Sequence, residues 1–237
     1  MHTLIPQINS ERRVIQMRHE LKFLVSEPSA KILKSLLGAV LNRDSHYPNG
    51  EYTICSLYFD DPEFSAYTEK TNGDQNREKF RIRLYNCDSS YIVLEKKYKK
   101  NDLVNKDSFL LNKDDVYSIL AGKDVLSEDS LAKEFHAKRI SCGLRPVINV
   151  KYDRTAFVFP AENTRITVDE NIRFSRSVSS LFDPNEPFIP LPSESKTVVE
   201  VKFDNAFPSF LVPILSSVSA ERTAFSKYAM AIEAAID

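Results

Sequence analysis

The chain has 237 residues, 42% of them hydrophobic, with 32 Lys+Arg against 33 Asp+Glu for a net charge of −1. That balance excludes a polycationic nucleic-acid coat, a disordered chain and a collagen-like repeat, and the length suits one domain whose core needs no staples. No apolar run reaches the ~18 residues of a membrane span. Met1–Arg13 lacks the apolar stretch of a secretory signal, and Cys55, Cys87 and Cys142 have neither disulfide-frame nor zinc spacing, so a reducing cytoplasm is the expected location.

Met1–Arg13 reads as a polar lead-in, and residues 14–237 read as a single domain. Gln16–Val25 reads as a strand. Pro28–Leu41 has helical spacing in Ile32, Leu33, Leu36, Leu37, Val40 and Leu41, with Pro28 near its start. Tyr52–Asp60 is a second strand, ended by Asp61-Pro62. Glu78–Tyr85 and Tyr91–Lys99 are strands joined by a five-residue turn, Asn86–Ser90. Asp114–Leu120 and Glu128–Ile140 read as helices. Val147–Phe159 and Thr164–Ile172 are strands joined by a short turn, and Ser175–Ser195, with four prolines and six serines, reads as a surface loop. Val198–Phe203 is a strand, and Ala206–Leu215 and Thr223–Ile236 are helices. Short turns between successive strands predict an α+β fold on an antiparallel sheet.

Strand alternation carries the functional signal. In Glu78–Tyr85, Lys79, Arg81 and Arg83 alternate with Phe80, Ile82 and Leu84, so the cations share one face. Arg18, Glu20 and Lys22 share another face, as do Val93, Glu95 and Lys97; Arg165, Thr167 and Asp169; Glu200 and Lys202; and Tyr152 and Arg154. An ordinary half-solvated sheet also has one charged face. These faces, however, favour cations: Arg18, Lys22, Lys79, Arg81, Arg83, Lys97, Arg154, Arg165 and Lys202 against Glu20, Glu95, Asp169 and Glu200. With helices covering the apolar faces, the charged faces turn inward, and the expected fold is a closed barrel of about eight strands with a cationic lumen.

Like charges ~4 Å apart repel by about 4 kcal/mol at an effective dielectric near 20, so such a lumen calls for a polyanion. Arg and Lys match phosphate oxygens in charge and geometry, and Glu20, Glu95 and Glu200 are candidates for a divalent cation bridged to them. The histidines lie off these faces: His19 points away from Glu20, and His2, His46 and His136 lie outside the strand motifs. Asp169 is a candidate partner for a lumen arginine, and Asp60 and Asp61 for capping the turn before Pro62. Tyr58, Phe59 and Tyr67 read as packing residues, and Lys96, Lys99 and Lys100 as solvated or at a mouth.

Arg18-His-Glu20-Leu-Lys22, Ser56-Leu-Tyr58-Phe-Asp60, Lys79-Phe-Arg81-Ile-Arg83, Glu95-Lys-Lys97, Tyr152-Asp-Arg154, Arg165-Ile-Thr-Val-Asp169, Glu200-Val-Lys202 and Phe225-Ser-Lys227-Tyr228 follow in this order. Together they resemble the VTC domain, the polyphosphate polymerase domain of the triphosphate tunnel (CYTH-like) superfamily. The resemblance implies a β-tunnel that transfers the ATP γ-phosphoryl group to a growing polyphosphate with Mn2+ or Mg2+. It assigns Arg81, Arg83, Arg154, Lys202 and Lys227 to the reacting phosphates. It assigns Arg18, Lys22, Lys79, Lys97, Lys106 and Arg165 to further phosphate contacts, and Glu200 to the metal, with Glu20 and Glu95 as lesser candidates. Implied partners are ATP and polyphosphate or pyrophosphate, with no nucleic acid and no membrane insertion; a membrane-protein partner is left open. Arg18 stands where the triphosphatase and cyclase branches have a first Glu, which suits holding a chain over hydrolysing it. Lys106-Asp107-Ser108 departs from an expected Lys-x-Arg, lacking the arginine. The alternatives are a triphosphatase, a triphosphate-binding module without turnover, and a ligand-free scaffold.

Overall fold

The computed structural model describes residues 18–236 except 46, 48, 49, 102, 126, 179, 180, 184 and 193–196. The lead-in at residues 1–13 and the first two residues of the expected opening strand therefore lie outside the described residues. The strands are β1 (Arg18–Val25), β2 (Asn42–Arg43), β3 (Glu51–Asp60), β4 (Asn76–Tyr85), β5 (Asp88–Lys100), β6 (Leu103–Leu111), β7 (Arg145–Phe159), β8 (Thr164–Ser175), β9 (Ile189–Pro190), β10 (Thr197–Phe203) and β11 (Ala220–Arg222). The α-helices are α1 (Glu27–Val40), α2 (Ser65–Asn72), α3 (Lys113–Leu120), α4 (Ser130–Ser141), α5 (Leu211–Ser216) and α6 (Lys227–Ile236).

Pairing is antiparallel and runs β7-β3-β4-β5-β6-β1-β10-β8, and β8 pairs back onto β7, so eight strands form a ring. Short β2, β9 and β11 pair with β7, β8 and β1 at its margins. The antiparallel α+β architecture agrees with the sequence reading. Among the described residues no helix is long and apolar enough to cross a membrane.

Helices cover the outward apolar faces. On α1, Ser26 caps the N-terminus by accepting from Ser29 N, and Ala30, Leu33 and Leu37 are buried against Phe157, Ile166, Val168, Val199 and Val201. Fully burying each such leucine contributes about 1.5–3 kcal/mol. The outer faces of β3, β4 and β5 (Cys55, Leu57, Phe59, Phe80, Ile82, Leu84, Ile92, Leu94) pack under Val116 and Ile119 of α3 and Leu131 and Phe135 of α4. An Asn112–Asp115 capping box starts α3, and Asp129 caps α4. A third cluster joins Tyr58, Ile148, Val150 and Tyr152 to Phe225, Tyr228, Ala231 and Ile232, which seats α6.

Several local expectations change. The β4–β5 turn is two residues, Asn86 and Cys87 with φ of 53° and 56°, rather than five. Both φ values are positive, as a twisted two-residue hairpin requires. β6 was not expected: Asn105, Lys106, Asp107 and Ser108 dilute its strand signal, yet it pairs with β5 from Leu103 to Leu111. α2 lacks an apolar stripe and buries no residue. Its N-terminus is instead held by the buried Asp60 carboxylate, which accepts from Ala66 N at 3.0 Å and Tyr67 N at 3.1 Å. Within the proline-rich segment expected as a surface loop, Leu181 and Leu191 are buried and Ile189–Pro190 pair with β8. The last two helices begin later than expected, at Leu211 and Lys227 respectively.

Candidate functional site

Alternation along the ring strands delivers polar side chains to one shared region, where four carboxylates each serve several cations. Glu95, 1% exposed, accepts from Arg81 Nε at 2.7 Å and Lys106 Nζ at 2.6 Å, with Arg83 Nη1 at 3.7 Å. Both Glu20 oxygens accept from Lys97 Nζ at 2.8 Å, and Lys22 Nζ is 3.2 Å away. Asp169 binds Arg154 in a two-pronged pair at 2.6 and 2.7 Å and Lys227 Nζ at 2.6 Å. Glu200 faces Lys227 at 3.3 Å, Lys202 at 3.4 Å, Lys22 at 3.8 Å and Arg154 at 3.9 Å.

Lys22, Lys79, Arg81, Arg83, Lys97, Lys106, Arg154, Lys202 and Lys227 thus meet around Glu20, Glu95, Asp169 and Glu200, or beside each other. Among the described residues, Lys79 reaches Ser226 Oγ at 3.4 Å and the Tyr58 ring at 5.6 Å, with no carboxylate in ion-pair contact. Two residues of the expected set stand apart. Arg165 pairs with Asp44 at 2.6 Å and donates to the Tyr52 hydroxyl at 2.7 Å. Arg18 pairs with Asp204 at 2.9 Å and donates to the Asn163 carbonyl. Lys227, which alone would read as a solvated lysine, is buried: from the first residue of α6 it reaches Asp169 and Glu200. Asp169 does pair with an arginine, as read from the sequence.

The charge is not evenly compensated. Burial pushes the Glu95 carboxyl up, but Arg81, Arg83 and Lys106 override it and hold the group well below the carboxylate range. Glu200 is likewise held low by Lys227, Lys202 and Lys22 against burial. Lys227 is raised, since Asp169 and Glu200 outweigh its burial. Lys97 goes the other way: burial, with Lys22 and Lys202 nearby, lowers it to about 8 despite Glu20. Burial and then Lys97, Lys22 and Arg81 push Lys79 well down, and burial leaves Lys202 lowered even beside Glu200. Positive charge is therefore in excess around Lys79, Lys97 and Lys202.

Two tyrosines belong to the site: Tyr58, which reads as packing in the sequence, and Tyr152, which shares a face with Arg154. Tyr58 accepts from Arg81 Nη1 at 3.3 Å, and Arg81 and Arg83 pull its hydroxyl below the usual range against burial. Tyr152 accepts from Arg83 Nη2 at 3.2 Å and Arg154 Nη2 at 3.4 Å, and Lys227 lies 4.7 Å from its ring centre. Ser56 Oγ accepts from Arg83 Nε at 3.2 Å. The sequence signal was present: Ser56 and Tyr58 alternate with Cys55, Leu57 and Phe59. Phe59 does pack outside, and Lys96 turns outward to pair with Glu78 and Glu134.

For a metal, the three expected glutamates do not form one group: among the described residues no three His, Cys, Asp or Glu side chains lie together as ligands. Glu95 is taken up by Arg81, Arg83 and Lys106. Glu20 and Glu200 both reach Lys22, so they flank one spot and keep hard oxygen donors there. A pair of carboxylates fits a Mg2+-like ion that takes its remaining ligands from phosphate and water. Asp60 caps α2 and receives the Tyr228 hydroxyl, a structural duty.

Two structural neighbours share the fold. HpAC1 of Hippeastrum, an adenylyl cyclase-type protein with a dominant triphosphatase activity, superposes with a TM-score of 0.53 at 14% identity, over 92% of this chain and 96% of that one. A Bacillus halodurans protein named as an adenylate cyclase gives 0.51 at 16% identity, over 85% and 87%. In sequence, the vacuolar transporter chaperone complex subunit 4 of Schizosaccharomyces pombe is 26% identical over 223 residues. That alignment takes in 77% of this chain, which spans only 31% of the relative's length. The VTC domain matches residues 17–236, nearly the whole chain. This chain, a ring of antiparallel strands on which lysines and arginines gather around a few carboxylates, thus belongs to the VTC domain family.

Proposed function

We propose that the chain is a metal-dependent phosphotransferase that moves the γ-phosphoryl group of ATP onto a polyphosphate chain inside a basic tunnel formed by the strand ring. The observation that carries this reading is the meeting of nine lysines and arginines around four carboxylates, with Lys79, Lys97 and Lys202 pushed down by burial and cationic neighbours. Crowding so many cations around so few carboxylates is electrostatically costly, and a phosphate chain supplies the further anionic oxygens. Membership of the VTC domain family supports the same conclusion.

In this reading Arg81, Arg83, Arg154, Lys202 and Lys227 clamp donor and acceptor phosphates end to end, with Lys22, Lys79, Lys97 and Lys106 along the chain. Arg18 and Arg165 serve the ends. The bond from the γ-phosphorus to the bridging oxygen breaks as a bond to the terminal oxygen of the chain forms, and ADP leaves with the bridging electron pair. The acceptor is already an oxyanion, so no general base is needed, in keeping with the absence of histidine from the cation cluster among the described residues. The chain's work is alignment and charge neutralisation. Glu200, with Glu20, would hold Mn2+ or Mg2+, which neutralises charge on the transferring group.

The test is incubation of pure protein with ATP and Mn2+, followed by a polyphosphate gel. A ladder lost in Arg81→Ala and in Glu200→Ala is expected; an unchanged ladder in both overturns the assignment. A second reading, a triphosphate-binding module without turnover, is favoured by the lack of a three-ligand metal group among the described residues. It is selected by thermal stabilisation with tripolyphosphate and no product over hours. Phosphate release from tripolyphosphate without a ladder selects a triphosphatase.

A further inference from the structure

We infer that Tyr47, Tyr52, Tyr85 and Tyr91, gathered at one end of the strand ring, form the seat for the nucleobase of the nucleoside triphosphate donor. The inference rests on the proposed phosphotransfer reading and orients the donor within that site.

The tyrosines lie on the inward faces. Tyr85 shares its face of β4 with Lys79, Arg81 and Arg83; Tyr91 shares its face of β5 with Val93, Glu95 and Lys97; Tyr52 shares its face of β3 with Ser56 and Tyr58. Tyr47 joins from the loop before β3, with ring centres 4.6 Å from Tyr52 and 6.0 Å from Tyr85, the latter within 20° of parallel. Tyr91 completes the group at 5.9 Å from Tyr85. Tyr52 is buried and receives Arg165, whereas Tyr47, Tyr85 and Tyr91 are only half-buried and keep surface open.

Position gives the group its meaning. Going up β4 from Tyr85, Arg83, Arg81 and Lys79 follow at intervals of about 7 Å, the rise of two strand residues. A base stacked on the tyrosines therefore sets a triphosphate along this row, α-phosphate first, with its γ-phosphate toward the charge excess at Lys79 and Lys97. Aromatic faces accept any base, so the seat holds a nucleoside without choosing strongly among bases. Tyr52 belongs to the cluster that seats α6, and Tyr47 and Tyr85 pack at its margin, so the rings are held in place from behind while Tyr47, Tyr85 and Tyr91 keep part of their surface open.

The experiment compares two ligands by calorimetric titration: an ATP analogue with a β,γ-imido bridge, which reads base and phosphates, and inorganic tripolyphosphate, which reads phosphates alone. In Tyr85→Ala the analogue is expected to bind about 10-fold more weakly, while tripolyphosphate stays within about twofold of wild type. Tyr85→Phe keeps the stacking face and restores analogue binding. Tyr47→Ala, a loop position, repeats the selective loss without touching a strand. If both ligands weaken together in Tyr85→Ala and Tyr47→Ala, or the analogue is unaffected, the tyrosines merely plug the ring and the inference is overturned. Failure of the wild-type protein to bind tripolyphosphate would instead overturn the phosphate site itself, and the nucleobase seat with it.

Discussion

Raising the pH from 7 to 9 should weaken tripolyphosphate binding through Lys97. Its ammonium is held by both oxygens of Glu20 at 2.8 Å, yet burial and its cationic neighbours lower it to about 8. A bound phosphate chain supplies the missing anion and returns the group toward an ordinary lysine value of about 10.4. The free protein then passes from about 90% to about 10% protonated at this site while the complex stays charged, so affinity falls about tenfold. Lys79, pushed down by burial and by Lys97, Lys22 and Arg81, acts in the same direction. Stability without ligand moves oppositely. The folded-state value lies below the unfolded one, so the penalty of the buried charge is present below about pH 8 and is relieved as pH rises toward 10.4. Lys22 and Lys227, whose values are raised, keep their ion pairs through that window. Calorimetric titration at pH 7, 8 and 9, in buffers of different ionisation heat, reads affinity and proton uptake together. Affinity constant within twofold, with no buffer-dependent heat, would refute the reasoning.

Glu95→Gln strips the shared anion from Arg81, Arg83 and Lys106 and should cost about 3–5 kcal/mol in urea unfolding, partly recovered by added tripolyphosphate. An unchanged urea midpoint would show that the three cations do not depend on it. Tyr228→Phe removes the hydroxyl donated to buried Asp60, the link between α6 and α2; a loss of about 1–3 kcal/mol is expected, read as a lower Tm. Gly50→Ala puts a Cβ 2.9 Å from the Ala156 carbonyl at a φ of +63° and should cost roughly 1–2 kcal/mol; an unaltered Tm would contradict that backbone geometry.

The strands that carry the site were legible because their signal is local: Lys79, Arg81 and Arg83 alternate with apolar residues whatever surrounds them. β6 was not legible, since Asn105 to Ser108 have weak strand preference and owe their extended form to pairing with β5. α2 escaped for a similar reason. What holds it is the Asp60 carboxylate, a contact the sequence shows only as an acid near a proline. The cation excess was readable as a count, but its distribution was not. Arg18 and Arg165 share faces with site residues yet find Asp204 and Asp44, so the excess settles on Lys79, Lys97 and Lys202. Tyr58 was hidden by its own hydrophobicity, whereas Tyr152 already shared a face with Arg154 in the sequence. Only when Arg81, Arg83 and Arg154 converge on their hydroxyls do they become part of the polar region.

The most direct measurement is a crystal structure grown with tripolyphosphate. Phosphate oxygens within hydrogen-bonding distance of Lys79, Lys97, Lys202 and Arg81, inside the ring of eight strands, are the expected result. An anion found only on the outer surface, or none at millimolar concentration, would contradict a phosphate-binding interior.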